Sequence, residues 1–347
     1  MAFRHETSVK LLAALLALHA GLAPLAFGAV TMIGTWTNVT NNVGGETWGY
    51  AGVCLLAAVP GSDEVIAGVS ERGLWSTTDG GAAWKQLGTS GEALKQRPHK
   101  IVFDPQNPAV YWVSGCYGPT PFVTADGGKS FKRLGNLNHA DGVAVDFSDP
   151  ERKTLLLGLH EQARSLQLSK DGGKTWQKIG DKLPENSNHS TDPIILDSKT
   201  FLINTAGWKQ GATLGIYRSE DGGETWSQVS TFGPGGRPLV ASDGQIYWQR
   251  IWGGGLLRSS DKGKTWSQLA GCPVKNNVIE LPDKRLAGHT ENQVFVSADA
   301  GAKWTKLGPT LPFKASGIAC SAKSKVFYAW RLTDKKDAQA IVRLKEE

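Results

Sequence analysis

Cysteine is scarce in this chain: Cys54, Cys116, Cys272 and Cys320 lie far apart and form no C-x-x-C pair. That spacing excludes the common zinc-binding patterns, and export would permit disulfides without specifying any. Dense Lys/Arg runs are also missing. The net charge of +6 is spread along 347 residues, so nucleic acid is not expected as a partner and acidic ligands are favoured only weakly. Beyond the first 28 residues no apolar stretch is long enough to span a bilayer as a helix, so stable membrane insertion is not expected. Segments with the period of an amphipathic helix are absent as well, which points to an all-β chain.

The N-terminus is different. "MAFRHETSVKLLAALLALHAGLAPLAFGAV" places Arg4 and Lys10 before an apolar run from Leu11 to Leu25, and Ala26 and Gly28 bracket a cleavage point. Residues 1–28 read as a secretory signal peptide, leaving 29–347 as a secreted or periplasmic monomer.

Glycine and tryptophan are plentiful, with 42 and 13 residues, and they recur in one motif. Six copies align on an aspartate: TTDGGAAW, TADGGKSF, SKDGGKTW, SEDGGETW, SSDKGKTW and SADAGAKW, with Asp79, Asp126, Asp171, Asp221, Asp261 and Asp299. The aspartates stand 47, 45, 50, 40 and 38 residues apart, a period that signals a radial or linear array. Flanking segments such as AVYWVSG, TLLLGL and QIYWQRI read as strands, about four per period, which fits a propeller blade. A phosphate loop would need glycine five residues before the glycine of Gly-Lys-Thr, where Leu168 and Arg258 stand. A calcium loop would need more oxygen ligands at alternating positions. The aspartates are therefore turn residues, their carboxylates accepting backbone N–H groups.

The pattern S/T-x-D-x-G-x-x-W/F resembles the Asp-box, or BNR, repeat of the superfamily of sialidases, xyloglucanases, sortilin-type receptors and photosystem assembly factors. The resemblance implies a β-propeller. After the last box the C-terminal segment supplies three strands, and GTWTNVT (Gly34–Thr40) imitates the strand that follows a box. The expectation is a single seven-bladed propeller with six Asp-box hairpins, its last blade closed by the N-terminal strand. The sialidases carry an Arg-Ile-Pro motif that QRPHK (Gln96–Lys100) does not reproduce, and the xyloglucanases pair two propellers where one is found in this chain.

With the boxes marking one face, the entry loops and the loops between second and third strands form the other. Superposing blades on their boxes puts His99, Asp141, Asp192, Arg237 and Asn276 at equivalent positions near the axis, with Cys54 or Tyr50 in blade one. All five histidines after the leader, His99, His139, His160, His189 and His289, fall on this face. Tyr117, Glu161, Arg164, Trp208, Arg250 and Trp252 join them, with Arg97 and Tyr50 from entry loops. Aromatic faces stack on pyranose rings and arginine pairs with carboxylate or sulfate, so an oligo- or polysaccharide is the expected partner. Trp208 and Trp252 suit blade packing equally, and Arg237 suits an ion pair with Asp192.

Three chemistries fit. A glycosidase would use Asp141 and Asp192, or one of them with Glu161. A uronate lyase would draw on His99, His139, His189, Tyr117 and Arg237. No cofactor is called for, although His99, Asp141 and Asp192 offer the donor types for a divalent metal. Of these the glycosidase is the leading expectation, with a protein-binding scaffold as the non-enzymatic alternative.

Overall fold

The computed structural model describes residues 34–88, 96–187, 191–205, 213–250, 254–333, 335 and 339–344. The leader expected at 1–28 lies outside them. Seven four-stranded antiparallel sheets follow one another, and in six of them spatial order equals chain order. Blade one runs over 53–86, two over 97–133, three over 140–178, four over 194–230, five over 239–268 and six over 279–307. Blade seven orders Thr37–Asn38, Ile341–Leu344, Phe327–Trp330 and Gly317–Cys320, its outermost strand coming from the N-terminal side. Among the described residues the one helix is a single 3-10 turn at Gly180–Lys182. No helix there is long and apolar enough to cross a membrane.

Blades are covered on both faces, so their second strands are mostly apolar: Val65–Val69, Leu155–Leu159 and Phe201–Thr205 are buried at every residue, the polar Asn204 and Thr205 included. The core lies between blades. Ile66 and Leu74 of blade one meet Tyr111 and Phe122 of blade two, and Leu156 and Leu168 of blade three meet Phe201 and Tyr217 of blade four. The first strands of blades seven, one, two, three and four lie against one another in succession, which makes them the innermost layer there.

The box turns join third to fourth strands. In SKDGGKTW the Ser169 hydroxyl accepts the Gly173 N–H at 2.8 Å and donates to Asp171 at 2.8 Å, while Asp171 accepts the Thr175 N–H at 2.9 Å. The same bonds recur around Asp79, Asp126, Asp221, Asp261 and Asp299. The residue after the aspartate is left-handed, which suits glycine; Lys262 and Ala300 adopt φ of 60° and 55° there instead. Because strands alternate in direction, these turns and the entry loops lie on opposite faces.

Candidate functional site

Three inner strands carry a bulge at the same place. Register shifts between Val53 and Leu55, Pro98 and Lys100, and Ala140 and Gly142 leave Cys54, His99 and Asp141 as the extra residues of blades one, two and three. A bulge re-aims the side chain it releases. Gly142 and Gly158 beside this kink cannot be larger: a Cβ on either would collide with the carbonyl oxygen of Thr191, in the segment that enters blade four. Asp192 follows directly, its N–H and that of Thr191 both held by the Asn204 side-chain oxygen at 2.9 and 3.2 Å.

Asp141 is the centre of the cluster. It is 8% exposed, and both carboxylate oxygens lie 2.9 Å from His160 Nδ1. The Cys116 thiol donates to the same carboxylate at 2.8 Å, and the Asp141 carbonyl takes the Ser114 hydroxyl at 2.7 Å with His99 Nδ1 at 2.9 Å. His160 Nε2 faces outward, 3.3 Å from the Tyr117 hydroxyl and 3.5 Å from Glu161. The Tyr117 N–H donates to His139 Nδ1 at 3.1 Å, which places the proton of a neutral His139 on Nε2. Tyr117 is half exposed, and Arg97 lies with its guanidinium 5.7 Å above the ring of the exposed Tyr50. Tyr117, His139, Glu161 and Arg164 all hold left-handed backbones, at φ of 59°, 56°, 53° and 48°. Strained non-glycine residues gathered at one rim are a mark of a functional surface.

The electrostatics separate the two aspartates. Burial pushes Asp141 up, but the His160 hydrogen bond and the nearby His99 outweigh it and the carboxyl ends below its usual range. His160 is raised, first by that same bond, so the two hold each other in their charged forms. Asp192 is 3% exposed and pushed up to about 6, chiefly by burial, with Lys100 acting against. One of its oxygens has no hydrogen-bond partner, and among the described residues no ion pair joins it to Lys100 or Arg237. Burial likewise pushes His99 down to about 4 and lowers Lys100 and Arg237.

The structure thus brings together His99, Asp141, Tyr117, His139, His160 and Glu161, with Arg97 beside them, and sets Asp192 and Arg237 deeper at the axis. The Arg164 side chain is engaged by the Asp181 carbonyl, and Arg250 stacks on Phe232 at 4.7 Å and bonds Gln268, so neither guanidinium contacts the cluster. His289 is fully buried and donates to the Thr290 carbonyl at 2.7 Å, so it presents no surface to a substrate. His189, Trp208 and Trp252 lie outside the described residues. Potential metal donors converge at Cys116, Asp141 and His160 rather than at His99, Asp141 and Asp192. Cys116 and Lys100 join the site beyond the residues expected from the sequence; the one local signal for Cys116 is that it directly precedes Tyr117.

A family model described as the DUF6242 beta propeller domain matches residues 175–327, and the BNR/Asp-box repeat model matches 167–178. A probable oligoxyloglucan-reducing end-specific xyloglucanase of Neosartorya fischeri is 26% identical over 209 residues, covering 56% of this chain and 24% of that protein. This chain therefore spans about a quarter of that relative's length. Among solved structures, a GH74 enzyme of Niastella koreensis superposes with a TM-score of 0.62 at 18% identity, over 89% of this chain and 55% of that one. YCF48 bound to D1 peptide gives 0.55 at 14% identity, over 92% and 100%. At such identities the likeness is one of fold. Repeat, blade count and matched models agree: the chain is a seven-bladed β-propeller built on Asp-box repeats.

Proposed function

We propose that this is a carbohydrate-active propeller, secreted or periplasmic and monomeric, that cleaves an acidic polysaccharide by β-elimination at the Asp141–His160–Tyr117 relay. One observation carries this reading: a buried carboxylate orients an imidazole whose other nitrogen faces an exposed phenol. The same bond raises the pH at which His160 gives up its charge, so the relay works on the basic side of that titration. There Asp141 holds the remaining proton of neutral His160 on Nδ1, which leaves Nε2 free to take the Tyr117 proton. Tyr117 Oη then removes the proton at C5 of a uronate. The C4–C5 double bond forms, the C4–O bond breaks, and the departing oxygen collects the proton back. Arg97 pairs with the substrate carboxylate, and Tyr50 and Tyr117 flank the sugar.

The expected glycosidase gives way to this reading because one of its two carboxylates is already engaged. Asp141 is committed to His160 and Cys116 and is poorly placed to protonate a glycosidic oxygen. Hydrolysis remains the second reading on a specific observation: Asp192 stays protonated to about pH 6 and has an unbonded oxygen, as a general acid requires. The relative named as a xyloglucanase adds weight to it.

The test is a panel of neutral and uronic polysaccharides, reading reducing ends and the absorbance of unsaturated uronates. The proposal expects both signals together, on uronic substrates only. Reducing ends without that absorbance would convert the assignment to hydrolysis, in which case Asp192→Asn should abolish turnover. Under β-elimination Asp192→Asn leaves turnover within about tenfold, whereas Asp141→Asn lowers it by a factor of ~10² or more. No turnover at all would assign the face to binding.

A further inference from the structure

We propose that Cys116, Asp141 and His160 form a binding site for one thiophilic divalent cation, Zn²⁺ foremost, and that its occupation switches the relay off. The second half rests on the proposed function; the first stands on the donor set alone. Cys116 Sγ lies 2.8 Å from one Asp141 oxygen, His160 Nδ1 lies 2.9 Å from both, and all three donors fall within 4.8 Å of one another. Zinc bonds of about 2.0–2.3 Å in a tetrahedron separate ligand atoms by roughly 3.3–3.8 Å. Spreading the hydrogen-bonded trio by less than about an ångström therefore makes room for an ion.

The donor types select the ion. Thiolate, imidazole and a single carboxylate suit Zn²⁺ and its soft neighbours, whereas Ca²⁺ and Mg²⁺ require a shell of oxygens. One thiolate and one carboxylate cancel the two charges of the ion, so the neighbouring Arg97 meets a neutral complex. The outer contact is also present: an imidazole that ligates through Nδ1 must carry its proton on Nε2, where Glu161 and Tyr117 stand at 3.5 and 3.3 Å to accept it.

Binding and relay use the same atoms. As the sulfur–metal bond forms, the Cys116 proton leaves to solvent, and the proton of neutral His160 moves from Nδ1 to Nε2. The bonds from Asp141 to His160 and Cys116 are replaced by bonds to the ion. Nε2, now protonated, can no longer take a proton from Tyr117.

The experiment is a calorimetric titration of ZnCl₂ into the full chain, stripped with a chelator, in two buffers of different ionisation enthalpy. The expected result is one ion per chain with net proton release, no heat from MgCl₂, and binding weakened at least tenfold in Cys116→Ser and in His160→Gln. Cys272→Ser, in the loop before blade six, should bind like the parent chain. Melting curves of all variants identify any that fail to fold. Co²⁺ provides a second readout through a thiolate charge-transfer band that Cys116→Ser removes. Absence of stoichiometric binding, or unchanged binding in a folded Cys116→Ser, overturns the site. Where turnover is found, one equivalent of Zn²⁺ should abolish it and chelation restore it. Zn²⁺ that binds at this site yet leaves turnover intact overturns the switch and the relay while the metal site stands.

Discussion

Tyr117 holds a left-handed backbone, stacks edge-on to two histidines and shows half its surface to solvent. None of these serves the core. Removing only its hydroxyl in Tyr117→Phe should lower kcat by a factor of ~10² or more with little change in KM and an unchanged melting temperature. A kcat within a few-fold of the parent would remove Tyr117 from the chemistry. His289 makes the opposite case, a buried imidazole with a structural part. Burial pushes its pKa down to about 4, its bond to Thr290 acting against, from 6.5 in the unfolded chain. Between those values the unfolded chain binds a proton that the folded chain refuses. Its contribution is therefore intact above about pH 6.5 and is lost as pH falls toward 4, by up to roughly 3 kcal/mol. His289→Gln should flatten the fall in melting temperature between pH 7 and pH 4.5. Parallel profiles for the two proteins would show that this histidine is not the titrating group.

Among the elements, the box hairpin divides its work between two side chains. The aspartate is partly exposed, whereas Ser169 is buried and its hydroxyl holds the Gly173 N–H inside the turn. Ser169→Ala leaves that N–H without a partner and should cost about 1–3 kcal/mol, more than Asp171→Asn; chemical denaturation of both variants checks the order. The hairpin was legible in the sequence because its bonds join residues two and four apart, so the chemistry is written within eight letters. The axial ring was half legible for the same reason: counting from each box locates Cys54, His99 and Asp141, the residues that the bulges release. Depth was not. Whether His289 or His160 faces solvent depends on how the adjoining loops close over them, and no local pattern records that. The Asp141–His160 contact joins the start of one strand to the end of the next, and Cys116 enters from the neighbouring blade. Such a meeting depends on how two sheets pack.

At the scale of the whole molecule, a ring of sheets must be closed somewhere, and the bonds that close it carry the cooperativity of every other blade. Thr37–Asn38 pairs with Ile341–Leu344, and just beyond it the Thr40 hydroxyl accepts the N–H groups of Ala340 and Ile341 at 3.0 and 3.1 Å. On the other side, the Trp84 indole of blade one donates to the Val39 carbonyl at 2.9 Å, and the Asn42 side chain bonds the Trp84 backbone. One short segment thus ties blade seven to blade one. Thr40→Val keeps the shape of the side chain but leaves two buried N–H groups without partners, a loss of about 2–4 kcal/mol. Because the blades share their cores, that loss should lower one common unfolding transition by several degrees rather than split off a separate early step. Thr175→Val, which removes a bond on an exposed turn, should change the transition only slightly. A calorimetric trace of Thr40→Val with two resolved peaks would mean that the ring does not unfold as a unit. A shift no larger than that of Thr175→Val would mean that closure rests on other contacts.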